Sequence, residues 1–137
     1  RVKLAWQETR WPGRLELFGE QLYLDGAHNP HAIARLIEFA NSLAGKRVKV
    51  LFGALKRKDY SGMLEALQVG LPEAELILTT FHYGEVVAQG DRQDLPYVAD
   101  YKAYIQEFLE QSRSDEVLFV TGSLYFIAEV RAFLLEA

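Results

Sequence analysis

Apolar positions along the chain switch repeatedly between a period of two and a period of about 3.6, the two signatures of strand and helix. "LELF" (15–18) and "QLYLD" (21–25) are short strand-like runs separated by Gly19-Glu20, a Gly-X pair of the kind that closes a two-residue hairpin. These two runs are expected to be antiparallel. After Pro30, apolar residues fall at Ile33, Leu36, Ile37, Ala40 and Leu43, a helical stripe, and Gly45 follows as a stop signal. "VKVLFGA" (48–54) is a dense apolar run of the type covered on both faces. A second helix is expected at about 59–69, carrying Met63, Leu64 and Leu67 and ending before Gly70 and Pro72. "AELILTTF" (74–81) reads as a strand, "HYGEVVAQGDRQDLP" (82–96) as a polar loop and "YVAD" (97–100) as a short strand. "YKAYIQEFLEQ" (101–111) predicts a helix, "EVLFVTG" (116–122) a strand, and "SLYFIAEVRAFLLEA" (123–137) a closing helix with Phe126, Ile127, Val130, Phe133 and Leu134 on one side.

Strands alternating with helices predict a three-layer α/β/α domain, Rossmann-like, whose mixed sheet is parallel except for the antiparallel edge strand 15–18. With 137 residues, no internal repeat and no linker-like stretch, the chain reads as one domain, 1–137. Half the residues are apolar, a quarter are charged and the net charge is −4, a composition without the basic excess of a nucleic-acid binder. There is no cysteine, hence no disulfide framework and no thiol nucleophile. No apolar run approaches the ~18 residues of a membrane span, and no signal-peptide layout is visible, so a cytoplasmic location is expected. The opening "RVKLAWQETRWPGR" has no initiator Met and reads as a cut inside a longer protein.

In open α/β sheets, ligands bind beyond the carboxyl ends of the strands. At one such end, in "LDGAHNP", Asp25 closes a strand, Asn29 can cap a helix and Pro30 occupies the favoured first helical position. The helix N-terminus would welcome an anion, Asp25 could hold a sugar hydroxyl pair or an ammonium, and His28 offers a switchable donor or acceptor. A well-made helix start explains the same residues. In "VTGSLYF", Gly122 permits close backbone approach to a ligand, and Ser123 either caps the last helix or gives its hydroxyl to a carboxylate. "GALKRKDY" gathers Lys56, Arg57 and Lys58 after a strand, which suits a carboxylate or phosphate, although such runs are more often solvated surface. In "RWPGRLE", Arg14 stands at the foot of the hairpin, where it could fork onto a phosphate or pair with a surface acid such as Glu16 or Glu20.

Taken in order, "WPGRLE", "LDGAHNP", "GALKRKD" and "VTGSLYF…EVR" resemble the C-terminal domain of folylpolyglutamate synthase/dihydrofolate synthase, in the Mur ligase family. The pair "DGAHNP" and "TGSLYF" carries most of the specificity. The resemblance implies an ADP-forming ligase that uses ATP and Mg²⁺ to activate a carboxylate as an acyl phosphate, which the amine of L-glutamate then attacks. The acceptor would be folate or dihydropteroate. It further implies that Arg14 contacts the ATP phosphates, that Asp25 binds the ribose, and that His28 and Asn29 lie at the ATP and glutamate cleft. Lys58 would face the incoming glutamate and Ser123 its carboxylate. Arg57 stands where the family often has an acid, which puts the detail of that loop in question.

A phosphate-binding loop of the form G-x-x-x-x-G-K-[ST] occurs nowhere in the chain, and no acidic cluster suits Mg²⁺. The resemblance places those parts, with the pterin site, on a larger N-terminal ATPase domain, and implies that this domain alone is inactive and monomeric. A cell-wall UDP-N-acetylmuramoyl amino-acid ligase would share the fold; "GRLE" and "TGSLYF" favour the folate branch. A phosphoryl-accepting receiver module wants an aspartate where "VKVLFGA" ends on glycine, and a dinucleotide dehydrogenase wants a glycine-rich fingerprint that "DGAHNP" lacks. A zinc site drawn from Asp25, His28 and His31 has no third histidine nearby, His82 being on a distant loop. A non-catalytic binding module is the remaining alternative.

Overall fold

The strands "VKVLFGA" and "EVLFVTG" have apolar residues at successive positions because each is buried on both sides, and this sets the layered architecture. The structure, a computed structural model, describes residues 6–7 and 15–136. The strands are β1 (Trp6–Gln7), β2 (Glu16–Phe18), β3 (Leu22–Asp25), β4 (Arg47–Phe52), β5 (Glu75–Thr79), β6 (Tyr97–Val98) and β7 (Glu116–Thr121). The helices are α1 (Pro30–Asn41), α2 (Tyr60–Gly70), α3 (Tyr101–Gln111) and α4 (Leu124–Glu136). The strands form one sheet in the order β1-β2-β3-β7-β4-β5-β6. β3, β7, β4, β5 and β6 are mutually parallel, whereas β2 is antiparallel to both β1 and β3. The strand running against the rest is the expected one, but Phe18 pairs with Leu22, so the loop holds three residues, Gly19, Glu20 and Gln21, rather than two, with Gly19 at φ +77°. Trp6–Gln7 adds a strand outside it, so β2 stands next to the edge.

Alternation along the central strands divides the core in two. Val50, Phe52, Val117 and Phe119 pack against Ile33 and Leu36 of α1 and Met63 and Leu64 of α2. Leu51, Leu118 and Val120 face Ile105 and Phe108 of α3 and Phe126 and Val130 of α4. Phe52, Phe119 and Phe126 are fully buried, each contributing roughly 1.5–3 kcal/mol by removal from water. The helices start where the sequence provides caps: Asn29, Asp59 and Asp100 accept from the backbone N–H groups of Ala32, Gly62 and Ala103 at 2.8, 3.0 and 3.1 Å.

Two further expectations change. The loop 82–96 is not simply polar surface. Val87 is buried and its N–H donates to Ala54 O at 2.8 Å, Val86 bridges Leu55, and Lys56 N–H donates to Glu85 O at 2.9 Å. The apolar Val86-Val87 pair pulls this segment onto the loop that follows β4. Glu16 is likewise not a surface acid: it is buried in β2 and paired with Arg131 of α4, which ties the hairpin to the last helix.

Gly122 is the tightest point of the fold. Its φ is +122°, and a Cβ placed there would lie 2.3 Å from the carbonyl oxygen of Gly53. The close approach anticipated for Gly122 is therefore made to the loop after β4, where Gly53 N–H donates to Thr121 O at 3.0 Å. Replacing Gly122 with Ala should lower unfolding free energy by about 3 kcal/mol or more, since it combines backbone strain with a backbone clash. Gly45→Ala, at φ +77° with nothing within 4 Å of the new Cβ, should cost only about 1 kcal/mol. Urea titration of both variants checks the contrast, and equal midpoints would remove the packing argument.

Candidate functional site

β7 is the centre of the sheet, and the chain leaves it toward the face opposite to the one its two neighbours take. The chain leaves β3 and β4 into α1 and α2 on one face, but leaves β7 into α4 on the other. Such a reversal opens a crevice at the carboxyl ends of the strands. Between β7 and β4 it is filled by the packing of Gly122 on Gly53. Between β3 and β7, Asp25 is the register partner of Thr121, one strand spacing of about 4.8 Å away.

Asp25 is buried at the end of β3. His28 follows in the turn, half buried, with Nδ1 3.3 Å from the carbonyl oxygen of Gly26. That oxygen only accepts, so this contact calls for a proton on Nδ1 and leaves Nε2 of the neutral ring as an acceptor. Asn29 caps α1 through Oδ1, as the helix-start reading required. Ser123 is buried before α4, and its Oγ accepts from Tyr125 N–H at 3.1 Å. The cap leaves the Ser123 hydroxyl proton able to donate to a further acceptor.

Lys58 lies beyond β4 on the same rim, in a turn closed by its own N–H to Leu55 O and by Tyr60 N–H to its carbonyl, at 3.1 and 2.8 Å. Its ammonium has no ion-pair partner among the described residues, whereas Lys56 pairs with Asp91 at 3.7 Å. The carboxyl ends of β3, β7 and β4, adjacent in the sheet, thus bring Asp25, His28, Asn29, Ser123 and Lys58 to one rim. Arg14 lies outside the described residues.

Sequence reasoning missed two features of this rim. Tyr83 and Tyr125 are both exposed and stack at 3.9 Å between ring centroids with 11° between planes. Beside them, Glu129 of α4 accepts from His82 N–H and Tyr101 Oη–H at 3.0 and 2.8 Å and lies 3.0 Å from His82 Nδ1. This carboxylate latches the segment after β5 onto α4. The signal was faint, because an acid on a helix and a histidine 47 positions earlier have no local pattern. Among the described residues, no group of three or more His, Cys, Asp or Glu side chains converges as a metal site. The residues present therefore do not fit a bound Mg²⁺ by themselves, and no step below runs through one. No described helix is long and apolar enough to cross a membrane.

A β3–α1 turn carrying an acid, a histidine and a cap thus faces a Gly-Ser helix start at the carboxyl end of the neighbouring strand. The chain belongs to the family described as Mur ligase, glutamate ligase domain, whose model matches residues 13–124. It is 34% identical over 138 aligned positions to the dihydrofolate synthase/folylpolyglutamate synthase of Bacillus subtilis, covering 90% of this chain and 30% of that protein. The folylpolyglutamate synthase of Lacticaseibacillus casei is 29% identical, with 93% and 30% covered. A solved bifunctional folylpolyglutamate synthase/dihydrofolate synthase of Yersinia pestis, complexed with AMPPNP and Mn, superposes with a TM-score of 0.79 at 26% identity, over 91% of this chain and 32% of that one. A structure of such an enzyme with Mn, AMPPNP and L-glutamate bound gives 0.78 at 26% identity, again over 91% and 32%. The chain thus spans about a third of the length of the proteins it matches.

The latch makes a pH-dependent prediction. Burial raises the Glu129 carboxyl, but the hydrogen bonds from His82 and Tyr101 outweigh it and hold the group below the usual glutamate range. A depressed folded-state value means that the stabilisation is full above the unfolded value, about 4.5, and is lost as pH falls through the lower folded one. Glu129→Gln should therefore lose about 1–3 kcal/mol at pH 7, and the gap to the parent should narrow as pH is taken progressively below the usual glutamate range. Urea midpoints across that pH range check it.

Proposed function

We propose that this chain, residues 1–137, is the C-terminal domain of a longer, cytoplasmic, monomeric ligase that adds L-glutamate to folate or dihydropteroate with conversion of ATP to ADP. The observation that carries the reading is the likeness, along nearly the whole chain and above 25% identity, to an enzyme holding AMPPNP, Mn and L-glutamate, joined to a rim whose side chains suit those ligands. The acceptor's carboxylate attacks the terminal phosphorus of ATP, giving an acyl phosphate and ADP. The glutamate nitrogen then attacks the acyl carbon, an amide forms, and inorganic phosphate leaves with the bond to oxygen.

This domain's part is positioning and charge. Asp25 accepts from the ribose hydroxyls, and Arg14 lies against the ATP phosphates, where a fork of donors offsets the growing negative charge. Ser123 donates its hydroxyl to the glutamate carboxylate. Lys58 adds a positive charge on that side, with His28 and Asn29 between the two ligands. Holding the amine at the acyl phosphate removes much of the entropic cost of a bimolecular encounter. The phosphate cradle, the Mg²⁺ ligands and the pterin site belong to the N-terminal ATPase domain on this reading.

The test is ADP release. The isolated chain, given ATP, Mg²⁺, dihydropteroate or folate and glutamate, should produce none, because the phosphate cradle supplies most of the electrostatic stabilisation. In the full-length enzyme, Arg14→Ala should lower the rate at least ~100-fold, the scale of losing one charge-stabilising donor. Ser123→Ala should instead raise the glutamate KM more than it lowers kcat, since a carboxylate contact is made in ground and transition states alike. Turnover by the isolated chain, or an unchanged rate in Arg14→Ala, refutes this assignment.

A further inference from the structure

A buried hydroxyl with no hydrogen bond is rare enough to require a reason. Thr121 is the last residue of β7, its side chain is fully buried, and its Oγ1 has no hydrogen-bond partner. It is the one such side-chain atom among the described residues. Its place is not arbitrary. The side chains of β7 alternate, with Val117 and Phe119 on the α1/α2 face and Leu118 and Val120 on the α3/α4 face, so Thr121 belongs to the α1/α2 face. In β3, Tyr23 lies on that same face and Leu24 on the other, so Asp25 shares it too. The two are register partners on adjacent parallel strands, at the β3/β7 crevice.

The other neighbour of Thr121 in register is Phe52 of β4, which offers its hydroxyl nothing. Valine would have the same shape at this position and bury no polar atom. The usual roles of a threonine hydroxyl in a strand are also missing, since a bond to a neighbouring carbonyl or carboxylate would have given Oγ1 a partner. An isolated hydroxyl in such surroundings lowers stability without a compensating contact in the fold.

We propose that Thr121 is a positioning residue of the nucleotide site, whose hydroxyl becomes hydrogen-bonded only when a vicinal diol, the ribose of ATP, occupies the crevice beside Asp25. Asp25 accepts from the diol, and the buried Thr121 Oγ1–H donates to the same Asp25 carboxylate, fixing the acid's orientation. The inference rests on the ribose role proposed for Asp25. The unpartnered hydroxyl is then a cost carried by the empty domain in exchange for affinity in the filled one, as expected of a ligand site.

The experiment uses the full-length enzyme with Thr121→Val, Thr121→Ser and, as a check on the underlying reading, Asp25→Asn. Without ligand, Thr121→Val should melt at the parent temperature or up to about 5 °C above it, because an unpaired buried polar group is removed at constant shape. With AMPPNP as the probe, measured by calorimetry, Thr121→Val should bind about 5–10-fold more weakly, the worth of one hydrogen bond. The glutamate KM should not move, and Thr121→Ser, which keeps the hydroxyl, should stay within about twofold of the parent for AMPPNP.

Parent-like AMPPNP affinity in Thr121→Val, with weakened binding in Asp25→Asn, overturns the role of Thr121 alone and leaves a packing imperfection. Parent-like affinity in both variants overturns the ribose assignment itself. A Thr121→Val enzyme that melts well below the parent shows that the hydroxyl is already satisfied in the empty protein, which also overturns the proposal. A binding loss equal in Thr121→Val and Thr121→Ser points to shape rather than the hydroxyl and overturns it as well.

Discussion

Everything on the candidate rim depends on β7 being the central strand. All six of its residues pair with β4 and four of them, Leu118 to Thr121, with β3, and it is buried along nearly its whole length. The strand arrives late in the chain and lies between two earlier ones, so its pairings are long-range. The reward is geometric. Because the chain turns to opposite faces on leaving β3 and β7, their carboxyl ends diverge, and the backbone amides of two helix starts come to flank one crevice. Gly122 makes the turn possible by accepting a φ of +122° and by lying against Gly53. The same contact closes the second crevice, so that the β3/β7 gap is left as the place where polar side chains gather.

The stabilising network and the candidate site share residues at the rim. Glu129 holds His82 and Tyr101, which fixes the segment on which Tyr83 stands, and Tyr83 stacks on Tyr125, two residues beyond Ser123. The pair of buried Glu16 with partly exposed Arg131 anchors the hairpin that carries β3 to the same helix. Removing Arg131 leaves the Glu16 carboxylate out of water without its partner, which costs more than the pair contributes. α4 is therefore the organiser of the rim: its start carries Ser123, its second turn holds the β5 segment, and its third turn holds the hairpin.

Much of this was legible in the sequence. Period-two and helical stripes marked the elements because the sheet is covered on both sides, which forces near-continuous apolar runs at "VKVLFGA" and "EVLFVTG" and one-sided stripes in the helices. The Gly19-Glu20 pair gave the sense of β2, and Asn29-Pro30 gave the start of α1. The order of strands in the sheet was not legible, because insertion of β7 between β3 and β4 is a long-range choice that no local pattern records. Nor was the burial of Glu16, whose partner lies 115 residues away. The loop 82–96 misled for a related reason: its charges dominate the composition, while two valines decide where it sits. Of the site, the residue types after each strand could be read, but which ends are adjacent required the sheet order.

The two explanations first open for the rim residues, good helix starts or ligand contacts, are not rivals once hydrogen-bonding capacity is counted atom by atom. Asn29 uses its carbonyl oxygen as a cap, which leaves the amide N–H groups as donors. Ser123 uses a lone pair as a cap, which leaves its proton. Lys58 has donors only. A cap engages acceptors, because helix starts present N–H groups, so a capped rim is left rich in donors and in the positive end of the helix dipole. Such a rim is matched to carboxylate and phosphate oxygens. Within it, the buried acid Asp25 is the exception in sign, and a ligand complementary to both kinds of group must carry hydrogen-bond donors close to anionic oxygens. A nucleotide with its ribose diol and phosphates meets that demand, and so does an amino acid with an ammonium beside a carboxylate.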